Sequence, residues 1–316
     1  MVKLTNFNFT PKKIDVFLAT YNRYKYLEEM VISILNQSFK DFNLIILDNG
    51  STDSTTQVIN TFKDPRVFCL REEVNSREFL NFPFSISKSE YFLIAHDDDS
   101  LEPTFLENQI KLLDQDKEIN LLASKINLMD EKGKKLNKIR PRIRETKTWG
   151  KHQFIKTYFL KGDIIPCPSI IYRRTFVQDR QLSFELKVGP AVDLFLLFKC
   201  NLFDGKIVLN NKGLYNYRLH QSQDSYINRF NLEYQVRPFI LELLEQQKGL
   251  KGKYKKASLG FIFQIVLNEF LTKNIDYNQF KTQLLKLISL GIGINLYSIY
   301  WTIFGIARGI KNKLTV

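Results

Sequence analysis

The sequence predicts an α/β fold in which helices flank a mostly parallel sheet. Short apolar runs of strand length alternate with longer segments whose apolar residues recur every three or four positions, and each run ends in polar residues. Strands that alternate with helices favour parallel pairing and a covered sheet. The predicted strands are Ile14–Ala19, Phe42–Leu47, Val67–Leu70, Tyr91–Ala95 and Asn120–Ile126. The predicted helices are Tyr26–Gln37, Thr55–Phe62, Phe79–Lys88 and Thr104–Leu113.

Polar clusters directly follow three of these strands, at Thr20–Arg23 (TYNR), Asp48–Asp53 (DNGSTD) and His96–Asp99 (HDDD). Ligands of open α/β sheets bind beyond the carboxyl ends of the strands, so we expect the three clusters to line one crevice. The chain has no GxGxxG fingerprint and no Walker lysine motif. An ordinary dinucleotide site or P-loop is therefore not predicted.

The third cluster contains three consecutive carboxylates, Asp97, Asp98 and Asp99. Adjacent carboxylates repel one another, and a bound cation relieves that repulsion. Oxygen ligands of this kind suit Mg²⁺ or Mn²⁺ together with substrate phosphates. The alternative is a solvated acidic turn before the helix that opens at Pro103, since negative charge is favoured at a helix N-terminus.

Composition and charge limit the classes of partner. The 316 residues are 44% hydrophobic, which is typical of a globular protein with a full core. The formal charge of +13 indicates an acidic partner, either nucleotide phosphates or an anionic membrane surface. No nucleic-acid-binding module accompanies this charge, so nucleic acid is not predicted. The three cysteines lack metal-site spacing, which favours a reducing cytosol.

The last third of the chain reads as helices, with a long apolar segment near its end. The helices are predicted at Asn231–Gln247, Tyr254–Lys273 and Asn278–Leu290. Leu287–Ala307 carries no charge, and Arg308 and other basic residues follow it. We expect an interfacial helix on the inner face of the cell membrane, and a buried terminal helix is the alternative. The polar start of the chain predicts no secretory signal, so a cytoplasmic, peripheral protein is expected.

Taken in order, these motifs resemble glycosyltransferase family 2, whose members have the GT-A, Rossmann-like fold. The matching pieces of the first 130 residues are TYNR after the first strand, the ILDNGSTD turn, Asn81, and the carboxylates followed by Pro103. Later matching segments are Met129–Lys134, Cys167–Arg174, Gly189–Phe198 and Leu214–Ser222. The resemblance implies a GT-A domain at residues 1–223, with a nucleotide-sugar-binding half (1–130) and an acceptor half (131–223). Residues 224–316 then form a helical region.

The resemblance also implies a divalent ion, Mn²⁺ or Mg²⁺, that neutralises the departing pyrophosphate. Asp98 occupies the second acid of the family's DxD motif and is the main expected ligand, with Asp99 and His220 beside it. His96 stands where the family has its first acid, so the ligand geometry is left open. Asp97 is expected to hold the ribose or a metal-bound water.

Further roles follow from the same resemblance. The side chains expected to bind the nucleotide-sugar are Thr20, Tyr21, Asn22, Arg23, Asp48, Asn81, Asp97 and Arg218. Among these, Tyr21 is expected to stack on the base, Asp48 to accept from a base N–H, and Arg218 to contact phosphate. The alternatives are an Asx turn for Asp48, a plain helix position for Asn81 and a structural role for His220.

Asp193 is the candidate catalytic base that strips the proton from the acceptor hydroxyl. The family commonly has an acidic pair just before this position, where this chain has Pro190 and Ala191. Glu185 is the second candidate. The alternative is that Asp193 caps a helix over Leu194–Lys199.

The sequence thus predicts a metal-dependent, inverting transfer of sugar from a nucleotide-sugar, of the UDP type, to a glycan or lipid-linked glycan. The expected context is the synthesis of a bacterial surface polysaccharide. Two other classes stay open at this point. A sugar nucleotidyltransferase shares the sheet and metal but needs a glycine-rich first loop, and a non-catalytic subunit would use the crevice only to hold a partner.

Overall fold

The computed structural model describes residues 9–220, 229–245, 247 and 250–289. The strands in this part of the chain are β1 (Ile14–Thr20), β2 (Phe42–Asp48), β3 (Val67–Arg71), β4 (Tyr91–His96), β5 (Ser100–Leu101), β6 (Ile119–Met129), β7 (Lys135–Arg140), β8 (Lys147–Trp149), β9 (Ile171–Arg173) and β10 (Lys206–Arg218). The helices are α1 (Tyr24–Leu35), α2 (Thr55–Thr61), α3 (Phe82–Ile86), α4 (Phe105–Gln115), α5 (Gln153–Lys161), α6 (Arg174–Gln178), α7 (Val192–Cys200), α8 (Arg229–Glu245), α9 (Leu250–Leu271) and α10 (Tyr277–Ser289).

The described strands form one sheet in the order β3-β2-β1-β4-β9-β6-β10-β5, with β7 beside β6 and β8 beside β10. The half built by β1 to β4 is parallel, as the alternation of strands and helices predicts. Beyond β4 the sheet is mixed, because β9 runs antiparallel to both β4 and β6 while β10 runs parallel to β6. The α/β class is confirmed, and so are the predicted strands and helices of the first half, apart from the helix expected at Phe79–Lys88.

Among residues 77–140, three elements differ from the sequence prediction. The single helix expected at Phe79–Lys88 is a 3₁₀ turn, Arg77–Asn81, that continues into the short helix α3. The strands β5 and β7 were not predicted, because β5 has only two residues and β7 is largely polar and exposed. Their hydrogen bonds come from β10 and β6, so these two strands exist through long-range pairing rather than local pattern.

The core of the first half follows directly from the apolar spacing. All seven residues of β2 are buried, as expected for a strand covered on both faces. Helix α1 turns one face inward, on which Leu27, Met30, Val31 and Ile34 are fully buried. Each such side chain contributes on the order of 2 kcal/mol by leaving water. Packing of α1 against the sheet thereby fixes the direction of the loop that precedes it.

Asp15 is a fully buried carboxylate at the start of β1, away from the polar clusters. Its oxygens accept hydrogen bonds from the Asn43 amide, from the hydroxyls of Ser87 and Ser89, and from the backbone N–H groups of Lys88 and Ser89. The distances run from 2.6 to 3.0 Å. This one side chain therefore joins β1 and β2 to the turn that leads from α3 into β4.

The second compact unit of the chain comprises residues 153–163 and 187–199 with the described parts of α8, α9 and α10. Rings from α5 and α7 pack there, and Tyr254 stacks on Phe159 with centroids 5.6 Å apart. Leu259, Ile262, Val266 and Leu287 form a smaller apolar cluster. The three helices predicted for this region are confirmed, whereas the domain boundary at residue 223 lies outside the described residues and stays a prediction.

Helices in the described part of the chain are all too short or too polar to cross a membrane. The apolar segment predicted at Leu287–Ala307 lies outside the described residues from position 290 onward.

We expect Asp15→Ala to lower the free energy of unfolding by about 3 kcal/mol or more, because it leaves several buried donors without an acceptor. Urea denaturation of the whole chain measures this. The matched control is Asp179→Ala, at an exposed carboxylate, which should stay within about 0.5 kcal/mol of the parent protein. Equal effects of the two substitutions would contradict the role given to Asp15.

Candidate active site

The first two polar clusters are hydrogen-bonded to each other at the carboxyl edge of the sheet. Asn22 adopts a left-handed backbone conformation (φ 53°), which asparagine tolerates better than most residues. Its side-chain oxygen accepts from the Thr52 N–H at 2.8 Å, and its own N–H donates to Ser51 Oγ at 3.0 Å. The Arg23 N–H donates to Thr55 Oγ1 at 3.1 Å. The two loops therefore hold each other in place, as the prediction of a shared crevice requires.

Asp48 ends β2 with no exposed surface, and its carboxylate is bonded on both oxygens. Oδ1 accepts from the Ser51 N–H at 2.9 Å, while Oδ2 accepts from the Thr56 hydroxyl and pairs with the Arg71 guanidinium. The turn contact that was the alternative reading is thus present. Arg71, which the sequence did not single out, is 41% exposed and is the member of this pair that faces solvent. The base contact of Asp48 stays a prediction.

Asn81 and Tyr21 lie in contrasting surroundings. The Asn81 amide donates to the Phe184 carbonyl at 3.0 Å and accepts from the Phe184 N–H at 2.9 Å, so both ends of the amide bind backbone. Tyr21 is 41% exposed beside the buried Thr20. The structure therefore gives Asn81 a bracing contact and leaves the Tyr21 ring accessible, while their nucleotide roles stay predictions.

The three consecutive carboxylates lie in the turn between β4 and β5, and all three are buried. Asp98 Oδ2 lies 2.7 Å from His220 Nε2, and Asp99 Oδ1 accepts from the Arg218 N–H at 2.9 Å. Antiparallel pairing of β5 with β10 brings the end of β10 to this turn. The structure thus joins four predicted site residues, Asp98, Asp99, Arg218 and His220, across more than a hundred positions of sequence.

Burial and mutual repulsion disfavour the charged forms of two of these carboxylates. Removal from water raises the pKa of Asp97 to about 7, and the charge of Asp98 adds to this, while the Thr20 hydroxyl and Arg23 act in the opposite direction. Burial, followed by the charge of Asp98, raises the pKa of Asp99 well above its usual range. The protein's own groups therefore do not compensate this concentration of negative charge.

The cluster has the chemistry of a divalent metal site. Ligand atoms of His96, Asp98 and Asp99 all lie within 4.8 Å of one another. Among the described residues, no hydrogen-bond partner reaches the buried Oδ2 atoms of Asp97 and Asp99. Asp99 belongs to this group of ligand atoms, and a buried carboxylate with an unpaired oxygen fits a cation. His96, which is exposed, belongs to this group. It stands where the family resemblance leads us to expect a carboxylate.

Arg218 is 1% exposed, and its side chain binds the backbone of the carboxylate turn. Its Nε donates to the Asp98 carbonyl at 2.6 Å, its Nη1 to the Glu131 carbonyl at 3.0 Å, and its Nη2 to the Glu29 carboxylate. The guanidinium also lies 5.0 Å from the centre of the Tyr26 ring. These contacts position the carboxylate turn. The phosphate contact expected of Arg218 stays a prediction.

The turn after β6 completes this arrangement. Gly133 has φ 83°, and a Cβ there would come within 3.2 Å of Arg218 Nη1 and 3.4 Å of Glu29 Oε1. Glycine thus allows the backbone to pass close to the buried ion pair. The Tyr26 hydroxyl donates to Glu131 at 3.2 Å, and its ring lies 5.3 Å from the His220 ring. Sequence reasoning missed Tyr26, Glu29 and Glu131, whose partners are distant in the chain.

Asp193 belongs to the second compact unit and is the second residue of α7. Its Oδ1 accepts from the N–H of the next residue, Leu194, at 2.6 Å. Asp193 lies within the first turn of α7 rather than at the cap position before it, and its negative charge is favourable there. A carboxylate can accept further hydrogen bonds through its second oxygen. Its assignment as catalytic base stays a prediction.

Comparison with known proteins gives consistent results. The family model described as glycosyl transferase family 2 matches residues 15–179, more than half of the chain. The uncharacterized glycosyltransferase MJ1057 of Methanocaldococcus jannaschii is 30% identical over 227 residues, which cover 68% of this chain and 73% of that protein. The UDP-Glc:alpha-D-GlcNAc-diphosphoundecaprenol beta-1,3-glucosyltransferase WfaP of Escherichia coli is 30% identical over 106 residues, 33% of this chain and 42% of its own length.

A solved structure supports the fold. The crystal structure of S. aureus TarS 1–349 in complex with UDP-GlcNAc aligns with a TM-score of 0.65 at 19% identity, covering 88% of this chain and 81% of that one. Likeness at this level of identity concerns the fold, which confirms the GT-A architecture expected from the sequence.

We expect Asp97 and Asp99 to make the metal-free protein less stable to heat as the pH rises from about 4 to 7. The folded pKa of Asp97, about 7, lies above the unfolded value of about 3.9. The folded state therefore binds more protons over this range, and stability falls as they are released. Melting curves with and without Mn²⁺ measure the effect, and Mn²⁺ should stabilise more at the upper end of the range.

Asp97→Asn is the control, since it removes one of the titrating groups and should flatten the pH dependence of the metal-free melting temperature. A profile identical to that of the parent protein would contradict the raised pKa.

Proposed function

The chain belongs to glycosyltransferase family 2 and is a glycosyltransferase, and we propose that it transfers a sugar, with inversion, from a UDP-sugar to a glycan or lipid-linked glycan. The observation that carries this proposal is the buried carboxylate cluster, which lies at the sheet edge where the family binds its donor. Its unpaired oxygens call for a cation, and a cation there serves a diphosphate leaving group.

A UDP-sugar is the proposed donor because the TarS neighbour of the same fold is described in complex with UDP-GlcNAc. On this chain, the exposed Tyr21 ring is the proposed stacking surface for the base. Thr20, Asn22, Arg23 and Asp48 belong to the two joined loops around it, with Arg71 exposed at their side. These loops are held by internal hydrogen bonds, which favours a pre-formed pocket.

Mn²⁺ or Mg²⁺ is the proposed cofactor, and its chemistry is to neutralise negative charge on the diphosphate oxygens as they leave. Asp98, Asp99 and His96 would hold it. His220 stays a candidate ligand, because the 2.7 Å between its Nε2 and Asp98 Oδ2 is close to the ~3 Å between neighbouring ligands of an octahedral ion. Arg218 and Glu29 keep the ligand turn in place.

Asp193 is the proposed base. Its carboxylate takes the proton of the acceptor hydroxyl, whose oxygen forms the new bond to the anomeric carbon while the bond to the diphosphate breaks. The hydrogen bond from the Leu194 N–H holds the carboxylate in one orientation on α7.

The acceptor is proposed to be lipid-linked, and the protein to act peripherally at the inner face of the cell membrane in surface-polysaccharide synthesis. Support comes from the formal charge of +13, which favours an anionic surface, and from WfaP, whose name describes a diphosphoundecaprenol acceptor.

Isothermal titration should show that UDP binds more tightly with Mn²⁺ than without it. Asp98→Asn should remove this metal-dependent gain, weakening binding by about ten-fold or more, because it replaces a charged ligand by a neutral one. Asp179→Asn, at an exposed carboxylate, should bind as the parent does. A preference for nucleoside triphosphate would instead indicate a nucleotidyltransferase, and no nucleotide binding at all would overturn the proposed site.

Asp193→Asn should lower kcat by about 10² to 10⁴ while UDP affinity stays near that of the parent protein, because only the proton acceptor is removed. Nucleotide release from UDP-, GDP- and dTDP-sugars measures turnover and identifies the donor. Asparagine keeps the Oδ1 that accepts from the Leu194 N–H, so the helix start is preserved. Full turnover by this variant, with loss in Glu185→Gln, would move the base assignment to Glu185.

A further inference from the structure

Positive charge is concentrated in one segment of the first compact unit. From Lys132 to Lys147 the sequence contains eight basic residues and only one acidic residue, in a chain whose total formal charge is +13. This segment contains the turn after β6, the strand β7 and the link to β8. The charge therefore has a defined place in the fold.

Four of these residues form what we call the basic strip: Lys138, Arg140, Arg142 and Arg144. Arg140 is half-buried and the other three are exposed. Among the described residues, no carboxylate lies within ion-pair distance of any of them, whereas Lys135 of the same strand pairs with Glu102. The strip thus carries positive charge that carboxylates in the described part of the chain do not neutralise.

The charge of Arg142 acts on the guanidinium of Arg140, its neighbour in the strip. Burial lowers the pKa of Arg140, and the charge of Arg142 lowers it further. Lys125 donates to the Ile143 carbonyl at 3.2 Å and so holds the chain between Arg142 and Arg144. Like charges kept together at a fixed place are favourable once an anion binds between them.

Protection of a sheet edge is the simplest structural explanation for charge on β7. In the described part of the chain β7 pairs only with β6, and basic side chains on an open edge prevent pairing with another molecule. One or two lysines achieve that. Edge protection does not account for Arg142 and Arg144, because β7 ends at Arg140. Arginine also offers a planar fork that matches phosphate oxygens in pairs, which lysine does not.

The position of the strip relates it to the carboxylate cluster. The turn before β7 contacts the metal-site scaffold, since the Glu131 carbonyl accepts from Arg218 and the Glu131 side chain accepts from Tyr26. From this turn β7 runs antiparallel to β6, so that Arg140 lies opposite Ile126. Lys135 lies opposite Met129, and an irregularity in the register takes up residues between Lys135 and Lys138. Arg140 is therefore displaced from Lys135 by three residues of β6, about 10 Å at about 3.3 Å per residue. A molecule that extends from the cluster along β7 therefore reaches the strip.

We propose that the basic strip binds the diphosphate of the acceptor, which is therefore a glycan linked through a diphosphate. This inference rests on the proposed function and adds the place and the chemistry of acceptor recognition. The sugar end of the acceptor points to the metal cluster, while the diphosphate lies on the arginine forks of the strip. The separation between the two sites then selects the length of glycan that is extended.

Geranyl diphosphate in metal-free buffer is a suitable probe, because without a divalent ion it has no anchor at the carboxylate cluster. The strip variant is R140Q/R142Q/R144Q. A second variant, R140K/R142K/R144K, keeps the charge but loses the forks. The matched control is K40Q/K63Q/K111Q, which removes the same charge from exposed lysines elsewhere in the first unit. Titration calorimetry gives the affinities, and melting curves confirm that every variant is folded.

The parent protein and the control should bind geranyl diphosphate equally. The glutamine variant should bind at least about ten-fold more weakly, and the lysine variant several-fold more weakly, since charge-assisted bonds to phosphate are lost or lose their bidentate form. All four proteins should keep the same affinity for UDP with Mn²⁺, because no substituted residue touches the carboxylate cluster.

Three results would overturn the proposal. One is no binding of geranyl diphosphate by the parent protein. A second is equal binding by the lysine variant. The third is binding of phosphatidylglycerol vesicles, but not phosphatidylcholine vesicles, by the parent and lysine variant alike without any affinity for the soluble diphosphate. That last pattern would make the strip a membrane contact.

Failure of UDP binding in a protein that still binds geranyl diphosphate through the strip would overturn the proposed function and leave the strip as a diphosphate site.

Discussion

Three neighbouring carboxylates buried at the end of one strand are the constraint on which the rest of the site depends. Burial alone raises the pKa of Asp97 and Asp99, and each charge makes the next one harder to form. Such a turn is stable only if other parts of the chain hold its backbone, because the side chains repel one another. The fold supplies this support from β10, which brings both a backbone N–H and a buried guanidinium to the turn.

Arg218 shows how widely this support is distributed. Its side chain binds the Asp98 carbonyl, the turn after β6 and Glu29 on α1, so three separate elements meet at one guanidinium. Its Nε donates to the backbone carbonyl of Asp98. A guanidinium that binds the backbone of the turn holds the carboxylates in place through the main chain. Arg218 thus positions the turn, whereas the carboxylates are the candidate metal ligands.

The first half of the fold was predictable because each of its elements is encoded locally. An apolar run of six or seven residues, a polar turn and an amphipathic helix repeat along the chain, and β1, α1 and β2 appear within a residue or two of their predicted bounds. The three polar clusters followed from the same rule. In contrast, β5 and β7 have no local signal, since one is two residues long and the other is exposed.

The partners of individual site residues were beyond sequence reasoning for a related physical reason. A carboxylate at the end of a buried strand was predicted at Asp48, but its pairing with Arg71 depends on the register of β2 against β3. Glu29 is 189 positions from Arg218, and nothing in the surrounding helix distinguishes it from other polar residues of α1. Side-chain chemistry therefore identified where the site is, while pairwise geometry, set by long-range packing, decided which groups support it.

His96 departs from the pattern of the family, and the charge of the turn gives this departure a physical meaning. A carboxylate at this position would add a negative charge next to Asp97 and Asp99, whose pKa values are already raised by burial and by the charge of Asp98. An imidazole offers a ligand atom within the same 4.8 Å group without adding a negative charge. Imidazole nitrogen also suits Mn²⁺ better than Mg²⁺, which prefers oxygen ligands and water. For the proposed metal ion, His96 would give up part of the electrostatic attraction that a carboxylate offers, while it adds no negative charge to the turn.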